Sequence, residues 1–515
     1  MTGPIHRRRL LSIGSGLTFL GAAAPFAAQL AAAGSAAGQT TTNYRALVCI
    51  YLNGGNDSNN TVLATDADSY GRYYAARNTG SDPIALLPPG TPPIAVGARS
   101  TYTQRVARPG SPEHLGGILP IVPRTVQPIP AGTNATLRTF GLHPVLGPLK
   151  TLFDAGRLAV VANVGTLIRP ITKAEYQAGT VPFPASLFSH NDQSSTWQAG
   201  ASEGATVGWG GRLGDMIMGM NGTNTVFTAM SVAGNAVYLS GNNVIQFQVS
   251  PGAQPALIIN GSIGLPAGSG VGQARLRDIA RDQMSSSHFA ADYGTVVHRS
   301  MAAATTLNAV FASAAARAIA GPPPFVNPVS GQTGSSSLAE QLSTVARMIA
   351  VASSLGLKRQ VFFVQTGGWD FHDTQGPDQA IKLAELAHAM SYFDSAMGNV
   401  GGLNMRGNVT SFTASDFSRT FTTNADGTDH AWGGHHFVMG GSVRGRDIFG
   451  QYPTLGTDRD TFRNPDMAAR ALVPTTAVEQ YAATMGRWLG VSEIGLDTIF
   501  PNLKNFPKRD LGFMA

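Results

Sequence analysis

Short continuous apolar runs recur along this chain, and each gives way to glycine and small polar residues. Ala46-Leu47-Val48-Cys49-Ile50-Tyr51-Leu52, Leu158-Ala159-Val160-Val161-Ala162-Asn163-Val164, Gln360-Val361-Phe362-Phe363-Val364 and Val409-Thr410-Ser411-Phe412-Thr413 lack the polar alternation of a half-exposed strand. Such runs predict strands covered on both faces. Between them lie helical patterns: one through Leu152 and Phe153 that stops at Gly156, one from about Ser194, one over Gly211 to Met218, and others at 272–318, 337–355, Asp378 to Met397 and Thr476 to Leu489. Strands alternating with helices predict an α/β fold with a mostly parallel sheet. Two regions depart from this rhythm. Residues 79–137, rich in Pro, Gly and Thr, predict an excursion of loops and short strands, and 225–262, where Asn243 to Val249 alternates, predicts hairpins in a small antiparallel insertion.

The first residues read differently. His6-Arg7-Arg8-Arg9-Leu10-Leu11, the apolar run from Ile13 to Ala28 and the small residues Ala36-Ala37-Gly38 predict a cleaved twin-arginine export signal over 1–38. A retained anchor is disfavoured because Gly14, Gly16, Gly21 and Pro25 break a run already short of the roughly 20 apolar residues of a membrane span. Removal of the signal leaves 477 residues (515 minus 38) as a single domain, 39–515, in the periplasm or outside the cell. It also deletes three arginines and no acid, so the formal charge falls from +6 to +3 and gives no case for nucleic acid. No later segment is apolar enough to span a membrane, and the expected partner is the twin-arginine translocation machinery. The single cysteine, Cys49, cannot form an internal bridge and reads as a small buried hydrophobe.

Chemistry concentrates between Gln365 and Met439. Asp370 and His372 follow one apolar run, Asp416 and Arg419 another, and His430, His435 and His436 come after; Asp57 follows the first strand of the chain. Carboxylates and imidazoles at the carboxyl ends of parallel strands stand where open α/β sheets place ligands. The set Asp57, Asp370, His372, Asp416 and His430 predicts a site for divalent metal, with zinc, manganese, magnesium or calcium as candidates, and could hold two ions about 4 Å apart. Each residue has a plainer role open to it. Asp57 could cap a turn, Asp416 could pair with Arg419, and His435 and His436 suit a strand interface better than a metal.

The blocks Asn53-Gly54-Gly55-Asn56-Asp57-Ser58-Asn59-Asn60, Ser189-His190 with Trp197-Gln198, Thr366-Gly367-Gly368-Trp369-Asp370-Phe371-His372, Ser415-Asp416-Phe417-Ser418-Arg419-Thr420 and Gly427-Thr428-Asp429-His430 resemble, in order, those of the exported bacterial domain-of-unknown-function family 1501. That family more remotely resembles the alkaline phosphatase and sulfatase superfamily. The resemblance implies a three-layer α/β/α sandwich, one ion on Asp57 and Asp416, a second on Asp370, His372 and His430, and Ser189 as nucleophile with Arg419 near the anion. Phe417 stands where the superfamily has a histidine, and Ser189 is equally an N-cap by residue type.

The expected function is therefore an exported metal-dependent hydrolase acting on a small anionic phosphate or sulfate ester. The alternative is a non-catalytic cell-envelope protein that keeps the alkaline-phosphatase-like fold. A Ser-His-Asp acyl hydrolase is a poor third, since no Gly-x-Ser-x-Gly elbow lies beside a credible strand.

Overall fold

The computed structural model describes residues 44–252, 278, 287–457 and 464–515. The expected export signal lies outside them, as does part of the expected insertion. Among the described residues, nine strands make the central sheet. They are β1 (Arg45–Leu52), β2 (Leu158–Gly165), β3 (Ala229–Ser231), β4 (Phe247–Gln248), β5 (Arg359–Thr366), β6 (Val409–Ser415), β7 (Gly434–Met439), β8 (Ile448–Phe449) and β9 (Thr476–Ala477). Their order is β8-β2-β7-β6-β1-β5-β3-β4, with β9 also beside β2. Every pairing is parallel except those of β7, which runs against both of its neighbours.

Helices cover both faces. In chain order they include α1 (Ala67–Arg77), α2 (Gly147–Asp154), α3 (His190–Ala199), α4 (Trp209–Ile217), α5 (His288–Phe311), α6 (Ser337–Val351), α7 (Gln375–Met397) and α8 (Val478–Leu489). The period of two along β1 explains why its apolar run is unbroken. Ala46, Val48, Ile50 and Leu52 enter one core with Leu342 of α6 and Leu386 of α7, while Leu47, Cys49 and Tyr51 enter the other with Leu213 of α4 and Tyr481 of α8. Each large apolar side chain so buried contributes about 1.5–3 kcal/mol. Among the described residues no helix is long and apolar enough to cross a membrane.

Two sequence expectations change. The alternating stretch near Asn243 forms no antiparallel hairpin: Phe247–Gln248 adds a parallel edge strand, with Met230 opposite Phe247. Alternation records which face a side chain takes and says nothing of strand direction. A three-stranded antiparallel sheet lies elsewhere, formed by Val62–Ala64, Leu119–Ile121 and Phe140–Leu142. The helix expected from Ser194 begins instead at His190, four residues earlier, because Ser189 caps it.

The register sets the site. Leu52 lies opposite both Thr366 and Ser415, so the loops after β1, β5 and β6 leave from one row. Running antiparallel, β7 starts at that same edge, with Gly434 opposite Val164. Loops after three strands and before a fourth therefore meet.

Candidate metal centre

Arg419 gathers these loops. Its buried guanidinium donates to Gly54 O (2.6 Å), Gly55 O (2.9 Å), Thr428 O (3.2 Å) and Trp369 O (3.4 Å), and pairs with the Asp370 carboxylate. The β1 loop can come this close because position 54 is glycine: its φ is +123°, and a Cβ there would lie 2.7 Å from the Asp370 nitrogen. Residues 418–420 and 429–431 pair antiparallel, through Thr420 N to Asp429 O and Ala431 N to Ser418 O, both 2.9 Å. This short ladder sets His430 opposite Arg419.

Asp370 lies at the centre. Its Oδ1 is 3.1 Å from His372 Nε2, 3.2 Å from His430 Nε2 and 3.3 Å from His190 Nε2. His190, Asp370 and His430 each offer a ligand atom within 4.8 Å of the others. Both imidazoles are held from behind. His430 Nδ1 is 2.6 Å from Phe188 O, an acceptor only, so Nδ1 carries the proton and the Nε2 lone pair of the neutral ring faces His372 Nε2 at 3.0 Å, beside Asp370. His190 Nδ1 is bound to Asp416 Oδ2 at 2.8 Å in the same manner, and its buried Nε2 makes no hydrogen bond. Phe417 packs against both rings, with centroids 4.7 Å from His190 and 4.6 Å from His430. Phe188 adopts φ +79°, a strained conformation for a bulky residue, and this orients the carbonyl that His430 uses.

The electrostatics differ from ring to ring. The hydrogen bond that His190 donates to Asp416 raises the pKa of His190, outweighing its burial, whereas burial and then the Arg419 charge lower that of His430. Burial opposes ionisation of Asp370, yet Arg419 and the surrounding histidines hold its carboxyl below the usual range. A carboxylate faced by imidazole nitrogens whose protons are tied up behind them has the chemistry of a cation site. The residues present fit a divalent ion on His190, Asp370 and His430, with His372 adjacent.

The other expected site residues are placed differently. Asp57 is not part of this cluster: fully buried, it pairs with Arg77 of α1, with Arg77 Nη2 to Asp57 Oδ1 at 3.0 Å, and accepts from Gln375 and from Asn59 N. It has no coordination left to give. Asp416 faces His190 and Gly54 N (3.2 Å), and so supports a candidate ligand instead of sharing an ion with Asp57. Arg419 pairs with Asp370, not Asp416, and its donors are spent on carbonyls, so it is unavailable to an anionic substrate. Ser189 Oγ accepts from Asp192 N at 3.5 Å as the N-cap of α3. His435 and His436 are buried in the sheet, stacked on Tyr452 and Tyr481. His190, absent from the expected ligand set, is the residue that the structure adds.

A cavity of about 490 Å³ opens beside the cluster, lined by Tyr176, Phe188, His372, Asp429, His430 and Arg470 among others. Arg470 is half exposed and holds Asp429 at 3.1 Å.

An α/β fold with a largely parallel sheet and a histidine–aspartate cluster at its carboxyl edge defines the class. The chain belongs to the family described as Protein of unknown function (DUF1501), whose model matches residues 44–499. No curated protein matches the chain.

Proposed function

We propose that this chain is an exported metal-dependent hydrolase of phosphate or sulfate esters, with a fold of the alkaline phosphatase and sulfatase kind. The observation that carries the reading is the pair of imidazoles, His190 and His430, whose Nδ1 atoms are bound to Asp416 and Phe188 O while both Nε2 atoms face Asp370. The donor set favours one ion over two, because Asp57 is committed to Arg77. Imidazole-rich ligation favours zinc over magnesium or calcium. A divalent ion held there supplies Lewis acidity toward a phosphoryl or sulfuryl oxygen. The chain itself would do the rest. Arg470 meets the anionic ester in the neighbouring cavity, Tyr176 and Phe188 pack on its organic part, and a water attacks the phosphorus or sulfur while His372, half exposed at the mouth, gives a proton to the departing oxygen and regains one from the water.

The non-catalytic reading keeps one observation in its favour: Ser189 caps a helix and Arg419 is enclosed, so the nucleophile and cation implied by the resemblance are both occupied. Metal analysis of the purified protein, with turnover of aryl phosphate and aryl sulfate, decides between them. The hydrolase reading expects about one zinc per chain and turnover that Asp370→Ala and His430→Ala both abolish. Metal-free protein that turns over neither ester sinks it.

A further inference from the structure

The edge of the sheet opposite the candidate site is basic from β8 to β6. Strands β2, β6 and β8 begin there and β7 ends there, so the residues around those strand ends share one face. Arg157 precedes β2, Arg406 leads into β6, and Arg444 and Arg446 lie between β7 and β8. Backbone contacts bind these positions into one surface: Arg124 N donates to Arg446 O (2.9 Å), Arg446 N to Leu158 O (2.8 Å) and Gly441 N to Arg406 O (2.7 Å). Carboxylates do not balance the five arginines. Asp394 is buried between Arg157 and Arg406, 3.1 Å from each, so one acid answers two cations. Asp447 is also buried, and its oxygens accept from Thr125 Oγ1 (2.6 Å), Thr125 N and Ile448 N (both 3.0 Å). Even with the carboxylate of Ala515 counted, whose N–H is on Ser442 O, two positive charges remain uncompensated. Nearby charges are matched among themselves: Lys150 with Asp154, and Arg487 and Arg509 with Glu493, Asp497 and Asp510.

The uncompensated cations are the accessible ones. Arg124, Arg444 and Arg446 are all exposed; the first two have no acid partner among the described residues, and Arg446 reaches only Val122 O, at 3.4 Å. Apolar side chains stand among them. Val122 (65% exposed) and Val126 (70%) flank Arg124, and Leu403 (66%) tips the turn that leads to Arg406. A soluble polyanion would meet the arginines and gain nothing from the valines and the leucine. A bilayer with anionic headgroups takes both, phosphates on the guanidiniums and apolar side chains at the acyl boundary. We infer that this edge docks on an anionic lipid bilayer. The acids Asp370, Asp416 and Asp429 lie at the other edge, so the same charge distribution turns the candidate site away from the lipid. The inference uses neither a metal nor a reaction.

Co-sedimentation of the full chain with vesicles of phosphatidylcholine, alone or mixed with phosphatidylglycerol, tests it. Binding should need the phosphatidylglycerol and weaken as salt is added. Arg444→Gln with Arg446→Gln should weaken it about 25-fold, roughly fivefold for each charge. Arg99→Gln with Arg169→Gln, which removes the same charge from outside this edge, should leave it unchanged. Val122→Ser with Val126→Ser should weaken binding to the mixed vesicles about tenfold and leave binding to inorganic polyphosphate as it was. Failure to bind the mixed vesicles overturns the proposal, as does equal binding to both kinds. Binding that survives loss of Arg444 and Arg446 overturns it and assigns the affinity to residues 1–38. Binding indifferent to the two valines overturns it in favour of a soluble polyanion.

Discussion

His190 and Asp416 are joined by a single hydrogen bond, Nδ1 to Oδ2 at 2.8 Å, between residues at the ends of different strand connections. It fixes both the tautomer and the direction of the ring, as Phe188 O does for His430. Asp416→Ala frees the ring while leaving every candidate ligand in place. Zinc affinity, measured by competition with a chromogenic chelator, should fall about 10–100-fold with the circular dichroism spectrum unchanged. Unaltered affinity would show that the pair does not serve a metal.

The Asp57–Arg77 pair should act on stability. Both side chains are fully buried, so Asp57→Ala leaves an uncompensated guanidinium and should cost about 3–5 kcal/mol in urea denaturation. The double change Asp57→Leu with Arg77→Met should recover much of that loss. Metal content of the folded fraction should match wild type; its disappearance at undiminished stability would return Asp57 to the ligand set.

Ser189→Ala separates cap from nucleophile. Loss of the contact to Asp192 N should lower stability by about 1 kcal/mol and spare turnover of whichever ester the protein accepts. A fall of about a thousandfold in turnover without loss of stability would make Ser189 the nucleophile.

Acid should destabilise the fold along a slope set by buried groups of opposite sign. Burial lowers His143, His435 and His436 from 6.5 to about 3. The unfolded chain binds protons that these folded rings refuse, so their contribution is full above pH 6.5 and is lost as pH falls toward 3. Glu479 is raised from 4.5 to about 7, chiefly by burial, so its contribution is full below pH 4.5 and is lost as pH rises through 7. Each group changes stability by about 1.4 kcal/mol per pH unit within its window. Between pH 6.5 and 4.5 three histidines oppose one glutamate, and stability should fall by about 3 kcal/mol per unit of acidification. Glu479→Gln should steepen the fall. A denaturation midpoint constant across this interval would contradict the burial of these rings.

What was legible in the sequence follows from what a linear pattern can carry. Buried strands announce themselves as continuous apolar runs, and the polar residues that end them located Asp370, His372 and Asp416 at one edge, with His430 a short loop further on. Asp57 looked like one more strand-end ligand because its partner, Arg77, comes from a helix twenty residues on, and no periodicity reports an ion pair. His190 escaped because Ser189, legible as an N-cap or a nucleophile, drew the attention, and residue type at a helix start does not say which way the next side chain points. Direction was the other gap: nothing in the apolar run of β7 says that it opposes its neighbours.

That reversed strand lets one segment reach both sides of the site. Because β6 and β7 lie side by side and run in opposite directions, residues 416–433 leave the sheet and return to it at adjacent positions. One contiguous segment thus supplies Asp416, Phe417, Arg419, Asp429 and His430, with both ends anchored in the same rigid frame. Its middle is anchored too: Phe421 enters the core, Arg419 holds the loop after β1, and the carbonyls of Thr420 and Phe421 hold buried Arg77, so a change within the segment is felt at once by the site and by the packing beneath it.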